Sequence, residues 1–393
     1  MASLIVQLAR LGDLLQTLPA ITSLTARYAG ERFDLLCAST LTDIVSLFHG
    51  TARAVPWEAD QWQQWALGWT NSPDSTMTAA QDHIHQLAAQ TYDTVYNLNQ
   101  HPRAILAAHL LGRRVVGPGS AGPLYENLPP WGTYLRKVAR DRSANHVHLA
   151  DAFCGLCGVM PPGRVPRITP HASDLPGSLE KVGDPRYHWV AVIIGAGDLA
   201  RCLPPAIWAR WITALLNAHT AIRVVLIGSS GEIGRSRAIQ ETLSPLLWGR
   251  VWDATGHTNL LQLALLLSRC HWTIGSDTGS LHLAAAVGCR TLGLYFARAR
   301  VHETGPYGDQ HRVWQSSTFA PDTWPIDESL DFIVAQTSVP QLTECTGWQL
   351  WEGHVDEWGM SYSRPGQSNV SVDDRMAVWK HCMSMDDREN VLL

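Results

Sequence analysis

The stretch Gly275-Ser276-Asp277-Thr278-Gly279-Ser280-Leu281-His282-Leu283-Ala284-Ala285-Ala286-Val287-Gly288 constrains the fold of this chain more than any other. The apolar run Trp272-Thr273-Ile274 enters it and Thr291-Leu292-Gly293-Leu294-Tyr295-Phe296 leaves it, so it reads as strand, polar turn, small-residue helix and strand. Two strands joined by so compact a crossover are parallel neighbours in one sheet. The turn aims backbone N–H groups and a positive dipole end beyond the sheet, which is a place to hold phosphate.

The rest of the chain supports the same class. In the first half, apolar runs at 4–8, 33–37, 54–56, 94–98 and 114–117 alternate with helical patterns at 14–28, 41–48, 79–89 and 103–111. Residues 57–78, rich in Trp, Gln, Ser and Asn, read as an irregular excursion, and Pro and Gly between 118 and 131 disfavour regular structure. The run 161–185 is the best linker, with many turn residues and no sustained period. Strands at 189–194, 224–227 and 251–254 then alternate with helices at 205–218, 232–243 and 260–268. The predicted architecture is therefore α/β, with two doubly wound Rossmann-like domains. A length of 393 residues suits two such cores plus extra material.

Two blocks carry a resemblance. One is Asp277-Thr278-Gly279 with His282 and, later, Gly305-Pro306-Tyr307-Gly308; the other is the opening run from Leu4 through Leu11-Gly12-Asp13 to Ala20. In type, order and spacing they resemble glycosyltransferase family 9, the heptosyltransferases, over about residues 3–308. The resemblance implies two Rossmann-like domains facing a cleft, the GT-B architecture, and an inverting, metal-independent glycosyltransferase. It also implies a nucleotide-sugar donor, most plausibly ADP-heptose, a lipopolysaccharide-core or related glycolipid acceptor, no cofactor, and room for peripheral contact with the inner membrane. On this basis residues 1–175 form the expected acceptor-binding domain and 186–335 the nucleotide-sugar-binding domain. Residues 336–393 are an extension in which Trp348, Trp351, Trp358 and Trp379 stand among Gly, Ser, Asp and Glu, with partial order expected.

Inverting transfer needs a base for the acceptor hydroxyl and a site that stabilises the departing diphosphate. The resemblance gives Asp13 the role of general base; the competing reading is a helix N-cap. A free Asp, with a pKa of about 3.9, is a weak base, so a catalytic Asp13 should be partly desolvated. Asp277, Thr278, Gly279 and His282 form the expected donor clamp, against a reading in which Asp277 caps the helix, Gly279 merely turns the chain and His282 is structural. Gly197 lies in the loop after the strand at 189–194. Arg201 in that loop stands where the family usually has Lys, and Leu203 where it has Trp; Arg can neutralise and fork onto phosphate oxygens. Glu232 reads equally as an acceptor for ribose hydroxyls and as a first-turn acid favoured by the helix dipole.

Other classes fit less well. Gly195-Ala196-Gly197-Asp198-Leu199-Ala200 matches the dinucleotide fingerprint of NAD-dependent oxidoreductases literally, but Pro204-Pro205 delays the helix that would receive pyrophosphate. A non-catalytic nucleotide-sugar-binding relative is a further alternative, which retention of Asp13 argues against. A net charge of −5 and the lack of a basic block disfavour nucleic acid; Arg136, Lys137, Arg140 and Arg142 read as a solvated helix face, or as contacts for acceptor phosphates or anionic lipid. No apolar run approaches the roughly 18–20 residues of a membrane span, and the opening strand lacks the basic lead-in of a signal peptide, so a cytoplasmic location is expected. The Cys154 and Cys157 pair has no second pair to complete a zinc site and reads as reduced, buried thiols.

Overall fold

The computed structural model describes residues 2–68, 72–89, 91–122, 125–171, 174–309, 311–316, 318, 321–334, 344–345, 347–366 and 372–389. The chain forms two compact units, Met1–Pro162 with Asp373–Leu393, and Gly163–Val372. The boundary expected between 335 and 336 falls in 335–343, outside the described residues.

In chain order the first unit contains β1 (Ser3–Val6), α1 (Leu11–Leu15), α2 (Leu18–Arg27), β2 (Phe33–Ala38), α3 (Thr42–Val45), β3 (Thr51–Trp57), α4 (Ala59–Gly68) and α5 (Pro73–Ala88). It continues with β4 (Tyr92–Asn97), α6 (Pro102–Leu111), β5 (Gly112–Val116), the small pair β6 (Gly119–Gly122) and β7 (Tyr125–Asn127), α7 (Pro130–Arg140) and α8 (Leu149–Leu156). Five strands form a parallel sheet in the order β3-β2-β1-β4-β5, a doubly wound arrangement with β1 at its centre. Leu4, Val6, Leu36 and Val95 are buried in this sheet against Ala104, Ala108 and Leu111 of α6. Burial on both faces is what turns parallel strands into near-continuous apolar runs.

Two expectations are corrected here. The helix predicted over 14–28 is two helices: Thr17 precedes α2, whose first turn holds Pro19, and proline fits a first turn but not a helix interior. The excursion at 57–78 is α4 and the start of α5, although 69–71 lie outside the described residues. Its order comes from aromatic packing that no local propensity reveals: Trp57 stacks on Trp62 at 5.1 Å, and Trp65 and His83 pack edge-on against Trp62. Likewise 118–131 contains the antiparallel β6–β7 pair, and Pro130 begins α7.

The second unit contains β8 (His188–Ile193), α9 (Pro205–Ala218), β9 (Ile222–Ile227), α10 (Ile233–Thr242), β10 (Val251–Asp253), α11 (Leu260–Ser268), β11 (Trp272–Ser276), α12 (Gly279–Ala286), β12 (Arg290–Tyr295), α13 (Val301–Thr304), β13 (His311–Ser316) and α14 (Ile326–Val334). β10, β9, β8, β11, β12 and β13 are successive parallel neighbours. Trp208, Trp211, Ile212 and Leu215 of α9 share one buried face over this sheet, the helical period read from sequence.

The residues after 343 have more order than their weak periodicity suggests. β14 (Glu344–Cys345), β15 (Trp348–Asp356) and β16 (Gly359–Ser363) extend the second sheet, with β15 antiparallel to β13 and β16 antiparallel to β15. Then α15 (Val372–Glu389) packs into the first unit, where Trp379 lies 4.4 Å from Trp131 with both rings buried. Among the described residues no helix is long and apolar enough to cross a membrane, and no cysteine is joined in a disulfide. Truncation of Trp379 to Ala should lower the unfolding free energy of the first unit by about 3–5 kcal/mol, the usual cost of emptying a buried aromatic site. Chemical denaturation followed by Trp fluorescence measures this; an unmoved midpoint would contradict a structural role for α15.

Candidate functional site

In an open parallel sheet, ligands gather beyond the carboxyl ends of the strands. In the second unit β9, β8 and β11 are neighbours, and the loops after them carry the sequence candidates. β11 ends in Ser276, and Asp277 leads directly to Thr278, the N-cap of α12. Leu281 and His282 donate their N–H groups back to Thr278 O, so Gly279 and Ser280 carry the N–H groups that have no acceptor within the helix. Thr278 makes no side-chain cap, and its Oγ1 is buried without a hydrogen-bond partner.

Asp277 is not a cap. Arg201 Nη1 donates to the Asp277 backbone carbonyl at 2.7 Å and lies 3.2 Å from Oδ2. His282 Nε2, from one turn into α12, lies 3.5 Å from Oδ1, and the Tyr295 hydroxyl lies 3.3 Å from the same oxygen. Tyr295 also donates to Thr304 O at 2.8 Å. Burial by itself would push the Asp277 carboxyl up, but the His282 contact, the Arg201 charge and the Tyr295 hydroxyl outweigh it and hold the carboxyl below its usual range.

Arg201 belongs to the loop after β8. Asp198 turns that loop by accepting from Ala200 N at 3.0 Å, and Gly197 is exposed in it. The long helix α9 begins only at Pro205, after Pro204, so the glycines of the fingerprint-like run do not open a helix. Arg235 of α10 holds both ends of the loop, donating from Nε to Ile194 O at 3.2 Å and from Nη2 to Leu203 O.

Glu232 takes the capping role. It completes a capping box in which Oε2 accepts from Ser229 N at 2.6 Å and from Ser229 Oγ at 2.9 Å. Its other oxygen fills the space beside Gly195: a Cβ added there would stand 1.3 Å from Oε1. The carboxylate therefore sits across the ends of β8 and β9.

In the first unit Asp13 follows β1, the central strand. The N-cap of α1 is Arg10, so Asp13 lies within the first helical turn and not at the cap; it is half-buried. Near the end of the same strand Leu8 N donates to Asn99 Oδ1 at 2.7 Å, while Asn99 Nδ2 contacts Gln7 Oε1 at 2.5 Å, which ties the β1 end to the β4 end. Lys137 and Arg140 are exposed on α7.

The structure thus brings Arg201, Asp277, Thr278 and His282 together, with Gly279 opening the helix between them, and it sets Glu232 and Gly197 on the adjoining strand ends. Tyr295 and Arg235 escaped the sequence reading. Tyr295 closes β12, the parallel neighbour of β11, so the strand-end rule would have flagged it; Arg235 carries no local signal. Among the described residues no group of His, Cys, Asp and Glu is placed to hold a metal ion.

The family model for glycosyltransferase family 9 (heptosyltransferase) matches residues 80–323. Among solved structures the chain is similar to E. coli ADP-heptose LPS heptosyltransferase II, with a TM-score of 0.62 and 17% identity over 86% of this chain and 99% of that one. It is similar to E. coli heptosyltransferase WaaC with ADP at a TM-score of 0.62 and 19% identity, over 86% of this chain and 100% of that one. A family 9 glycosyltransferase from Veillonella parvula matches at a TM-score of 0.62 and 16% identity, covering 84% and 89% of the two chains. No curated protein sequence matches significantly.

The Asp277 cluster generates a pH dependence. A carboxyl whose folded pKa is depressed adds stability that is complete above its unfolded value, about 3.9, and is lost as pH falls through the lower folded value. Asp277→Asn should therefore be less stable than wild type at pH 7, with the gap closing as pH drops below about 4. Urea denaturation at pH 7 and pH 3 checks this, and a gap that widens in acid would refute it.

Proposed function

Because the chain belongs to glycosyltransferase family 9, the heptosyltransferase family, and is a glycosyltransferase, we propose that it transfers a heptose from ADP-heptose, with inversion, to a lipopolysaccharide-core or related glycan acceptor. The observation that carries the donor half is the corner at the start of α12. There a fixed cation, Arg201, a His and a buried hydroxyl without a partner converge on a helix N-terminus. That combination suits a diphosphate: the dipole and N–H groups of Gly279 and Ser280 stabilise negative charge, Thr278 Oγ1 donates to an oxygen, and Arg201 neutralises the charge left on the leaving group. Asp277 is the anchor that aims Arg201 and His282. Gly197 lets backbone approach the donor, and Glu232 Oε1 accepts from the ribose. The ADP preference is supported by family membership and by the ADP-bound heptosyltransferase to which the fold is similar.

In the proposed reaction the acceptor oxygen attacks the anomeric carbon while Asp13 takes the hydroxyl proton. The bond from that carbon to the diphosphate oxygen breaks, and the nucleoside diphosphate leaves with the electron pair. A half-buried carboxylate in the first turn of the helix that follows the central strand of the first unit suits the base. The arginine and the helix terminus give the leaving group its compensation, so the step is written without a metal. The acceptor places the work at a membrane surface, as a peripheral rather than spanning association.

Calorimetric titration with ADP, UDP, GDP and dTDP tests the donor; ADP should bind most tightly, and a clear preference for another nucleotide would overturn the ADP assignment. Asp13→Asn should cut turnover by about 10²–10⁴-fold, the range general-base catalysis supplies, while leaving ADP affinity unchanged. Undiminished turnover would remove Asp13 from the mechanism. EDTA should leave the rate unaltered, and loss of activity restored by manganese would show that a divalent ion takes part.

A further inference from the structure

The β15–β16 hairpin lies beyond the family match, which ends at 323. It nevertheless packs on loop 305–308, the Gly-Pro-Tyr-Gly run that follows α13. The Tyr362 ring lies against Gly305 so closely that a Cβ on that glycine would stand 2.2 Å from Cε2. The Tyr362 hydroxyl donates to Pro306 O at 2.7 Å, and Tyr362 is fully buried. Gly308 N lies 3.3 Å from Met360 Sδ, and Val355 N donates to Asp309 Oδ1 at 2.6 Å. Just before the loop, His302 meets the Trp351 ring edge-on at 4.5 Å.

The hairpin itself is firmly held. β15 runs antiparallel to β13 from Arg312↔Glu352 to Ser316↔Trp348, and Arg312 Nε pairs with Glu352 Oε1 at 2.8 Å with both side chains mostly buried. The far side of the loop is tied to the donor corner. Thr304 O accepts from the Tyr295 hydroxyl, which also lies beside the Asp277 carboxylate that anchors Arg201. A loop with glycines at 305 and 308 has much backbone freedom to lose on ordering, and fixed contacts remove that freedom before a ligand arrives.

We propose that the β15–β16 hairpin is a brace for the donor corner and that Tyr362 is a positioning residue for the nucleotide sugar, acting through Pro306 and the Thr304–Tyr295–Asp277 contacts. This rests on the donor reading above. Tyr362 does not touch the reacting atoms; it fixes the loop that follows Thr304, which Tyr295 links to Asp277, and so fixes the direction in which Arg201 faces the diphosphate. Removing the hydroxyl leaves the buried Pro306 carbonyl without its donor and lets the loop relax. The loss therefore falls on donor affinity, with acceptor handling and the chemical step left intact.

The test compares wild type, Tyr362→Phe and Met360→Leu by calorimetry with whichever of ADP, UDP, GDP and dTDP the wild type binds, and by steady-state kinetics with donor and acceptor varied separately. Tyr362→Phe keeps the ring and its packing, so the fold is retained; it should raise the nucleotide Kd and the donor KM about tenfold, equivalent to ~1.4 kcal/mol, with acceptor KM and kcat within about twofold. Met360→Leu, which keeps the volume and removes the sulfur contact to Gly308, should shift the same two constants in the same direction. If the wild type binds none of the four nucleotides, the donor reading falls and this inference falls with it. If the wild type binds and both variants bind equally well, the donor reading stands and the brace is refuted. A variant that loses kcat in proportion to folded protein, at unchanged Kd, also refutes it, since that is the mark of a merely structural tyrosine.

Discussion

The second unit turns on one largely buried carboxylate. Asp277 stands at the carboxyl end of β11 with little solvent contact, and a charge in that position is costly unless it is compensated. The compensation comes from Arg201 in the loop after β8, His282 one turn into α12, and Tyr295 at the end of β12. A single acid therefore links the end of β11 to the end of β12, the loop after β8 and the first turn of α12. In the proposed donor site it acts indirectly: it would repel phosphate itself, but it locks a guanidinium and an imidazole beside the helix N-terminus, so that they need not be ordered when a ligand binds.

Much of this was legible in sequence because it is local. The turn from Gly275 to Gly288 announces strand, cap and helix within a few residues, and parallel pairing with the next strand follows from the length of the crossover. The partner of Asp277 was legible only in part. The sequence marks Arg201 as a cation, but its distance along the chain from Asp277 hides the fact that the two side chains meet. Sequence therefore offered Asp277 as a ligand or a cap, and the structure makes it an anchor. For Glu232 the two readings were balanced, and the capping box with Ser229 uses one oxygen while the other is pressed against Gly195. By sequence Asp13 also reads as an N-cap; Arg10 occupies that position, and the acid lies inside the first turn.

What sequence hid is order created by aromatic contacts between distant residues. The run 57–78, rich in Trp, Gln, Ser and Asn, shows no clear helical period, yet Trp57, Trp62, Trp65 and His83 interlock across α4 and α5. The same holds after 343. Trp348 is buried against Phe296 at 6.2 Å, and its indole N–H donates to Thr323 Oγ1 at 3.0 Å; Trp379 packs on Trp131, with the Trp131 ring filling the space that a side chain at Gly155 would need. Tryptophan combines a large apolar surface with a polar handle, so a few of them hold a segment that lacks a continuous period. Their presence in an apparently formless tail was a signal of order, while their partners were invisible until the chain was folded.

The loop after β8 carries Arg201 and Leu203 where the resemblance implies Lys and Trp. A lysine there would be a point charge on a freely turning stem, whereas Arg201 commits Nη1 to both the carbonyl and the carboxylate of Asp277. A planar guanidinium held at one nitrogen has its plane constrained, so its remaining N–H directions are constrained too. Leu203, where a tryptophan is usual, is buried in the core with Trp208 and Trp211, and its carbonyl is held by Arg235, which also grips Ile194 at the opposite end of the loop. One guanidinium therefore closes the loop at its ends, and another is fixed against Asp277. Hydrogen bonds from two guanidiniums thus hold the loop at its ends and at Arg201, and they keep a cation at the mouth of the corner.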